Sequence, residues 1–539
     1  MRTRSATTLA RAIDVGIFDW VISPHMKVVC DVALLTPDRR SLARALARLH
    51  TVNPFSDERL AIEAEILGRA YVRPRRPRAR DLDLIDVVGT TNQSALEHAA
   101  AELASFMRAR LQDGARPGDE ERELYKEVVF VTLFDRSATA LDEVSARTKA
   151  TKVAAYAHHV AAWRHFFDDD EVAAALLPGE TPAHLFALFF QLRRAFQSIY
   201  RHLVGASAPM TALRASVWRS IFTVDPARYR RALLGRMHEI PTLVLGETGT
   251  GKELVARAIA GAAYVAFDAD RAVFVGDHHA FFPISLAELP ETLVESALFG
   301  HTRGAFTGAT EDHRGVFALC PPEGTVFLDE VGELPPSVQV KLLRVLEARE
   351  ASPLGSLTRF RFQGRVVAAT HKDLAVAARN GRFRLDLFHR LAGDVIVTPT
   401  LRARVADDAD ELRRLAHHMC AGLVGTAEAA SLLVDVEQIL RRLGVHHAWP
   451  GNVRELSQLV RRVLVQGPHA VTDTATTAPA AWLDGVRDGT LPLDDVVTGY
   501  VRLVFAREGS VSAASRALGV DRRTVRTRLA HGGENILTE

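Results

Sequence analysis

The spacing of apolar and polar positions changes along the chain and divides it into regions of different kinds. Over residues 1–205, stretches with helical periodicity alternate with β-branched runs, which predicts a mixed α/β region. From Pro241 to about Gly467, short apolar runs that end in glycine-bearing or acidic loops alternate with helices, the pattern of a parallel sheet covered by helices. Examples from the first region are the helical stretches Ser41–Leu49 and Leu96–Leu111 and the β-branched runs Val28–Leu35 and Val128–Leu133.

The carboxyl-terminal residues carry the pattern of a small helical domain. Two short amphipathic segments are separated by a helix-ending glycine and a capping aspartate, which predicts a helix-turn-helix. Helix Leu493–Arg507 precedes them and is expected to supply a dimerisation or packing face. The apolar positions are Val511, Ala514 and Leu518, then Val525 and Leu529, with Gly519 and Asp521 between them.

Composition limits the class of protein. With 47% apolar and 24% charged residues over 539 positions, the chain has enough apolar surface for ordinary buried cores. The 67 Lys and Arg residues nearly balance the 65 Asp and Glu residues, so any affinity for nucleic acid or anionic lipid must be local. Cys30, Cys320 and Cys420 are odd in number and far apart, which argues against a disulfide framework and a zinc site. No apolar run has the length of a membrane span or a signal-peptide core, so we expect a soluble cytoplasmic protein.

A glycine-rich loop joins the short apolar strand Thr242–Leu245 to an amphipathic helix. The glycines allow backbone N–H groups to point inward, the helix N-terminus adds positive potential, and Lys252 can reach the β- and γ-phosphates of a nucleotide. Glu253 stands where the general pattern has Ser or Thr to hold Mg²⁺. The predicted phosphate site consists of Gly246, Glu247, Thr248, Gly249, Thr250, Gly251, Lys252 and Glu253.

A second apolar strand, Thr325–Leu328, ends in two carboxylates, Asp329 and Glu330. Since the carboxyl ends of parallel strands meet at one edge of a sheet, we expect these side chains beside the phosphate loop. There Asp329 would hold the Mg²⁺ that accompanies ATP, and Glu330 would orient or deprotonate the attacking water. An Asp-Glu pair after a strand is usually a solvated loop, but its pairing with the phosphate loop favours catalysis.

At these residues the chain resembles the AAA+ ATPases, and among them the bacterial enhancer-binding proteins that activate sigma-54 RNA polymerase. The resemblance implies a multidomain α/β protein with an AAA+ parallel sheet, a small helical lid, an amino-terminal regulatory region and a Fis-like helix-turn-helix. The matching runs are Gly246–Glu253, Glu295–Ala309, Phe327–Pro335, Gly381–Leu391 and Trp449–Leu456. The implied domains are the regulatory region 1–205, with a subdivision near the arginine- and proline-rich residues 73–82, the α/β subdomain 206–398, the lid 399–466, a linker 467–490 and the DNA-binding domain 491–539.

The segment Gly304–Ala309 is suited to be a mobile contact loop. Two glycines bracket Phe306 and Thr307 in a segment too small to form a core strand, and an exposed Phe306 favours docking onto a partner. The resemblance implies that this partner is sigma-54 RNA polymerase; a structural turn with one buried Phe is the alternative. The implied contact residues are Gly304, Ala305, Phe306, Thr307, Gly308 and Ala309.

The resemblance also implies a ring, commonly a hexamer, with a nucleotide at each subunit boundary, and it leaves a dimer open for the inactive state. Arg384 and Arg390 match the family's arginine fingers, which neutralise charge on the phosphoryl group bound by the neighbouring subunit. Arg454 matches the sensor arginine of the lid.

Two positions depart from the family pattern. His371 follows the apolar strand Arg365–Thr370, where the family normally has an Asn that contacts the γ-phosphate or its water. Ser285 takes the place of an Asn thought to restrain the catalytic glutamate. Because both changes alter the reach of the side chain, we expect ATP turnover to be slow or loosely coupled, although ordinary activity remains open.

The positive charge that the whole chain lacks is gathered at its carboxyl end. Residues 501–539 hold seven arginines against four acids, a net charge of +3. On the second predicted helix the arginines project away from the apolar face, toward phosphates and guanine edges of double-stranded DNA. The candidate DNA-binding residues are Arg522, Arg523, Thr524, Arg526 and Arg528.

These features together predict an ATP-dependent transcriptional activator that binds upstream DNA and remodels the sigma-54 holoenzyme. The first alternative is an AAA+ remodeller of another protein, with the terminal helices as a protein-docking module. The second is a DNA-bound regulator that binds ATP with weak hydrolysis. Residues 1–205 match no receiver, GAF, PAS or forkhead-associated motif, so their signal stays open.

Overall fold

The computed structural model describes residues 34–73, 90–145, 152–167, 180–277, 279–444, 447–468, 482, 485–486, 489, 491–508 and 510–530. They form two compact units. The first comprises residues 1–247 and 251–399, and the second residues 248–250 and 400–539, in each case within the described ranges. Most of the arginine- and proline-rich loop near 73–82 and most of the tether predicted at Gln466–Ala481 lie outside the described residues.

A five-stranded parallel sheet forms the centre of the first unit, with strand order β4-β5-β8-β1-β9. Its strands are apolar on both faces because helices cover both sides, as in β8, where every residue is buried. Alternate residues therefore enter two different cores. The strands found among the described residues, including two separate hairpins, are β1 (Thr242–Leu245), β2 (Ala266–Asp268), β3 (Val273–Val275), β4 (Phe281–Ser285), β5 (Thr325–Asp329), β6 (Glu350–Ala351), β7 (Phe360–Arg361), β8 (Arg365–Thr370) and β9 (Asp394–Val397). The predicted α/β fold class is confirmed, and the strands expected at 242–245, 325–328 and 365–370 are present.

Before the sheet, every long element in the described residues is a helix. The strand suggested by the β-branched run Val128–Leu133 is wrong, because these residues lie inside a 27-residue helix. Tertiary packing overrides the local β-strand preference of this run, because its apolar side chains are fully buried on the helix. They are Val128, Val129, Phe130 and Leu133. The helices are α1 (Pro37–Thr51), α2 (Asp57–Leu67), α3 (Thr90–Gln112), α4 (Asp119–Ser145), α5 (Ala155–Phe166), α6 (Pro182–His202) and α7 (Ala208–Phe222).

These helices share one hydrophobic core with one face of the sheet. The apolar residues of α6 are buried together with Val244 of β1 and Val367 of β8. Phe190 of α6 stacks on Phe274 of β3 with ring centroids 3.9 Å apart, and Phe186 meets the same hairpin. The predicted boundary between residues 205 and 206 therefore falls inside one compact unit.

The remaining helices of the first unit flank the sheet or lie beside its loops. A second buried cluster joins them to the other face of the sheet through residues such as Leu243, Val326 and Val366. They are α8 (Lys252–Ala260), α9 (Glu291–Phe299), α10 (Val316–Leu319), α11 (Pro336–Ala348), α12 (Leu374–Arg379) and α13 (Leu385–Leu391).

The second unit is helical. Its helices between Leu401 and Gln466 contain a buried ion pair between Arg404 and Glu411. The side chains are 4% and 0% exposed, and a guanidinium nitrogen lies 2.8 Å from a carboxylate oxygen. The helices are α14 (Leu401–Asp407), α15 (Glu411–Val424), α16 (Thr426–Leu443), α17 (Asn452–Gln466), α18 (Leu493–Glu508), α19 (Val511–Leu518) and α20 (Arg522–Ala530).

The last three helices agree with the pattern found in the sequence. Gly519 has a left-handed backbone (φ 68°) that ends α19, and Asp521 Oδ1 accepts a hydrogen bond from the backbone N–H of Thr524 at 3.0 Å. Val525 and Leu529 are buried against Val501 and Val504 of α18. Among the described helices of the whole chain, none combines the length and the apolar character required to cross a membrane.

Candidate functional site

The predicted phosphate loop connects β1 to α8 at the carboxyl edge of the sheet. Gly249 and Gly251 have φ angles of 80° and 94°, which a residue with a side chain rarely adopts. Lys252 begins α8 and is 7% exposed. Its Nζ donates to the backbone oxygens of Gly246 at 3.0 Å and Glu247 at 3.3 Å, so the ammonium lies inside the curve of the loop. This is where a phosphate group would be bound.

Within the second unit, the middle of this loop is held by the start of α17. Asn452 Nδ2 donates to the backbone oxygen of Thr248 at 3.1 Å, and the N–H of Val453 donates to that of Gly249 at 3.0 Å. A Cβ on Gly249 would lie 2.2 Å from the backbone oxygen of Gly451, so only glycine fits there. The predicted sensor residue Arg454 lies in the first turn of α17, next to this contact, and is exposed.

The two predicted carboxylates stand at the end of β5, next to Lys252. Glu330 Oε1 is 3.6 Å from Lys252 Nζ, and the backbone N–H of Glu330 donates to Asp329 Oδ1 at 3.1 Å. Burial and the neighbouring Glu330 charge raise the pKa of Asp329. Burial raises the pKa of Glu330, but hydrogen bonding from His371 and the charge of Lys252 outweigh it and leave that pKa below its ordinary value. The structure thus brings Lys252, Asp329 and Glu330 together as expected.

His371 reaches the same carboxylate from the end of β8. Its Nδ1 lies 2.8 Å from Glu330 Oε2, and since an ionised carboxylate only accepts, Nδ1 carries the proton of this bond. The backbone N–H of His371 and the hydroxyl of Thr370 also donate to Oε2, each at 3.3 Å. Ser285 lies opposite Asp329 in the β4–β5 ladder, and the described residues show no hydrogen bond from its hydroxyl to Glu330.

The residues present fit a nucleotide with Mg²⁺. The described part of the chain has no group of three or more His, Cys, Asp or Glu side chains placed to hold a metal alone, so the ion would need phosphate oxygens among its ligands. Asp329 offers a half-buried carboxylate oxygen, the ligand type that Mg²⁺ prefers. Glu253 does not take the part of the missing Ser or Thr, because its carboxylate is half exposed and binds Arg257 at 2.7 Å.

The two arginine-finger candidates have different partners. Arg384 forms a bidentate pair with Asp386 at 3.0 and 2.7 Å, and both side chains are nearly half exposed. Arg390 donates through two nitrogens to the backbone oxygen of Leu346, near the end of α11. Both arginines are exposed, and each is bonded within this chain, Arg384 to a side chain of α13 and Arg390 to a backbone oxygen of α11.

The segment Gly304–Ala309 forms a tight loop rather than a buried turn. The N–H of Gly304 donates to the backbone oxygen of Ala309 at 2.8 Å and closes the loop. Phe306 is 36% exposed and contacts His301 edge to face, with ring centroids 4.9 Å apart. A Cβ on Gly304 or Gly308 would meet nothing within 4 Å, so the loop protrudes, and the alternative of a buried Phe is not supported.

A second loop, between β6 and β7, lies against this one. The backbone N–H of Thr302 donates to Leu354 at 3.0 Å, and Gly355 packs so closely on Ala305 that a Cβ would come within 2.9 Å of the alanine methyl. Leu357 at its tip is fully exposed. No local pattern of residues predicts this pairing, because it joins segments about 50 residues apart.

The arginines of α20 differ in their surroundings. Arg522, Arg523 and Arg526 are exposed. Arg528 instead pairs with Asp494 of α18 at 2.7 Å, and the Thr524 hydroxyl donates to Asp521 at 2.9 Å. Three of the predicted DNA-binding residues are therefore exposed cations, whereas Arg528 joins α20 to α18 and Thr524 bonds within the amino-terminal cap of α20.

Three further positioning residues were not singled out from the sequence. Thr370 and Asn452 are buried polar residues that bind Glu330 and the phosphate loop respectively. Gln339 is buried in α11, and its side-chain oxygen accepts the N–H of Arg384 at 2.9 Å. A polar residue inside an otherwise apolar helical or strand pattern was the available signal.

Comparison with known proteins finds relatives of this chain. The family model described as the sigma-54 interaction domain matches residues 228–396. The chain is 39% identical over 300 residues to the Nif-specific regulatory protein of Azotobacter vinelandii, covering 53% of this chain and 53% of that protein. It is 42% identical over 238 residues to the hydrogenase transcriptional regulatory protein HoxA of Cupriavidus necator, covering 42% and 43%.

A third relative is covered more fully. The chain is 36% identical over 363 residues to the transcriptional regulatory protein ZraR of Klebsiella oxytoca, covering 64% of this chain and 75% of that protein. By contrast, the chain spans about half the length of the other two relatives.

Proposed function

The chain belongs to the family of sigma-54-dependent transcriptional activators, and from this premise we propose that it hydrolyses ATP and uses the energy to remodel sigma-54 RNA polymerase at promoters. In this proposal the protein works as a ring, commonly a hexamer, with a resting dimer left open. It binds double-stranded DNA through the exposed arginines of α20 and acts in the cytoplasm.

The observation that carries the proposal is the convergence of Lys252, Asp329 and Glu330 at one edge of the sheet. The ammonium of Lys252 lies against backbone oxygens of the phosphate loop, and Glu330 Oε1, at the end of β5 in the same sheet, is 3.6 Å from it. A cation, a hard oxygen ligand and a base at this spacing suit phosphoryl transfer to water.

In the reaction, Lys252 and the loop N–H groups would bind and orient the β- and γ-phosphates. The Mg²⁺ that accompanies ATP would neutralise charge on those phosphates, with Asp329 as its protein ligand. Glu330 would hold the attacking water in line and accept its proton. Arg384, supplied by the neighbouring subunit, would stabilise the charge of the transition state, with Arg390 in a supporting place and Arg454 as the lid's sensor.

ATP binding and turnover test the enzymatic part. We expect Lys252→Ala to lose binding of a fluorescent ATP analogue, and Glu330→Gln to keep binding while turnover falls by at least about 100-fold. Glu347→Gln, an exposed glutamate of α11, is the matched control and should behave as wild type. Equal turnover in Glu330→Gln and wild type would contradict the assigned base.

Open-complex formation on a sigma-54 promoter tests the partner. Phe306→Ala should abolish it while ATP turnover continues, because Phe306 is exposed and distant in sequence from the phosphate site. Leu319→Ala removes another exposed apolar side chain and should retain open-complex formation. If the wild-type protein hydrolyses ATP but opens no sigma-54 promoter, the alternative of a remodeller acting on another protein is favoured.

A second candidate function is supported by the contacts of Glu330. A regulator that binds ATP on DNA with weak hydrolysis would have its base engaged by other groups, as Glu330 is by His371 and Lys252. A single-turnover ATPase assay separates this candidate from the activator, because only the activator hydrolyses ATP at a rate that its partner can raise.

A further inference from the structure

Gln339 places an amide on the buried face of α11, which is otherwise aliphatic. It is 1% exposed, and the other buried residues of this helix are valines and leucines. A buried polar group is costly unless its hydrogen-bonding atoms are paired. The side-chain hydrogen bonds of Gln339 lead to segments outside α11, so the amide joins those segments to the helix.

The amide of Gln339 binds two segments at once. Its Nε2 donates to the backbone oxygen of Leu334 at 2.9 Å and to that of Arg382 at 3.4 Å. Its Oε1 accepts the backbone N–H of Arg384 at 2.9 Å. Both amide hydrogens and one lone pair of the oxygen are thereby used, and a side chain of different length or chemistry cannot reproduce all three bonds.

The first of these segments follows the proposed catalytic base. A short helical turn, Val331–Glu333, connects Glu330 to Leu334. The N–H of Glu333 donates to the backbone oxygen of Glu330 at 2.9 Å, so the turn begins at the base itself. By binding Leu334, Gln339 is therefore attached to the segment that leaves the phosphate site.

The second segment carries Arg384 to the start of α13. Phe383 and Leu387 are buried on either side of the arginine and anchor the segment in the core. The side chain of Arg384 is 45% exposed and pairs with Asp386. The backbone of Arg384 is thus fixed, while its guanidinium is accessible to another molecule.

We propose that Gln339 is a positioning residue that fixes the backbone of Arg384 so that the guanidinium reaches the nucleotide bound by a neighbouring subunit. This inference rests on the proposed ring ATPase. Burial of Phe383 and Leu387 holds the segment, but apolar burial is non-directional and does not set the direction in which Arg384 leaves it. The hydrogen bond from the Arg384 N–H to Gln339 does. Through Leu334, the same amide links the base of one nucleotide site to the arginine that serves the next.

Steady-state ATPase assays on the full-length protein test the positioning role. Gln339→Met keeps the volume of the side chain but removes the amide, and Gln339→Asn keeps an amide that is one methylene too short for all three bonds. We expect turnover to fall about tenfold in both variants, equivalent to ~1.4 kcal/mol, with KM for ATP unchanged. Arg384→Ala should show the same pattern. Gln363→Ala, an exposed glutamine of the same unit, is the matched control and should behave as wild type.

Mixtures of variant subunits show which nucleotide site is damaged. Glu330→Gln subunits do not hydrolyse ATP but still present Arg384, so mixing them with Gln339→Met subunits should give more turnover than the two proteins give separately. Mixing Gln339→Met with Arg384→Ala should give no gain, because neither subunit presents a correctly placed arginine. A gain in this second mixture would overturn the inference, since Gln339→Met would then have an effective arginine and a damaged site of its own.

The remaining outcomes separate this inference from the function on which it rests. If Glu330→Gln abolishes hydrolysis while both Gln339 variants or Arg384→Ala keep the wild-type rate, the positioning role is refuted and the ATPase assignment stands. A raised KM in both Gln339 variants would show instead that the residue supports the phosphate site of its own subunit. Loss of the ring in both, measured by size-exclusion chromatography, would refute a role confined to Arg384. If the wild-type protein does not hydrolyse ATP, both proposals fail.

Discussion

Replacing Phe190 by alanine should weaken nucleotide binding although the residue lies in the amino-terminal region, far from the phosphate loop in sequence. Phe190 is fully buried on α6 and stacks on Phe274 of the β2–β3 hairpin, with centroids 3.9 Å apart. Neighbouring residues of α6 bind the segment that follows α8: Gln191 donates to Ala262 at 2.9 Å and Arg194 to Ala263 at 3.0 Å. The phosphate-loop helix is thus fixed at its far end by α6.

The size of the effect follows from the cavity that the change leaves. A fully buried Phe→Ala substitution costs about 3–5 kcal/mol, and Phe190 also loses a stacked ring partner. Domains of ordinary size are stable by about 5–15 kcal/mol, so the variant loses a large part of the stability of the first unit. Because α8 belongs to the same core, partial unfolding there should displace Lys252 as well.

Urea denaturation followed by circular dichroism gives the free energy of unfolding, and titration with a fluorescent ATP analogue gives the affinity. Leu60→Ala, an exposed leucine of α2 at 38% exposure, is the control and should change neither by a measurable amount. A loss of less than about 1 kcal/mol with unchanged ATP affinity would refute the shared core. So would a protein lacking residues 1–205 that folds and binds ATP normally.

Three further predictions concern charged groups. Burial raises the pKa of Asp135 to about 7, so the native state keeps a proton that the unfolded chain loses near pH 4, and the free energy of unfolding falls as pH rises from about 4 to 7. Asp135→Asn should therefore be more stable than wild type at pH 8, by about 4 kcal/mol at most, but not at pH 4. Denaturation of both proteins at the two pH values measures this difference. Glu411→Gln leaves Arg404 buried without its ionised partner and should cost about 3 kcal/mol or more of unfolding free energy, whereas a neutral result would show that the pair is replaceable. Arg526→Ala should weaken DNA binding and reduce its salt dependence while the melting temperature stays unchanged. Arg528→Ala should instead lower the melting temperature, because it breaks the ion pair with Asp494. The opposite result for the two variants would contradict the assignment of Arg526 as exposed and Arg528 as structural.

The sheet and the phosphate site could be predicted because their signals are local. The strand before Gly246 and the strand before Asp329 are short, continuously apolar and bounded by glycine or acids, and parallel topology alone brings their ends together. The last two helices and the turn between them could be predicted for a similar reason, since Gly519 ends one helix and Asp521 caps the start of the next.

The side-chain contacts that position Glu330 and Arg384 could not be predicted from the sequence. The resemblance directed attention to His371 as a group for the γ-phosphate, whereas the structure shows its ring bonded to Glu330. This contact depends on the distance between the ends of two adjacent strands and on the left-handed backbone of Glu330, and neither is a property of residue order. The same holds for Gln339, whose bond to the N–H of Arg384 joins positions 45 residues apart.

The amino-terminal region shows most clearly how tertiary burial overrides local pattern. The β-branched run at Val128–Leu133 favours a strand in isolation, yet helix α4 buries these side chains among aromatic residues of α6. The same burial joins α6 to the sheet, so residues 182–202 belong to the core that also buries the apolar side of α8. Removal of residues 1–205 would expose that core, and a fall in ATPase rate after such a deletion would report unfolding and not the loss of a regulatory signal. Substitutions of exposed residues leave this core intact and therefore test the proposed ATPase more directly than a deletion does.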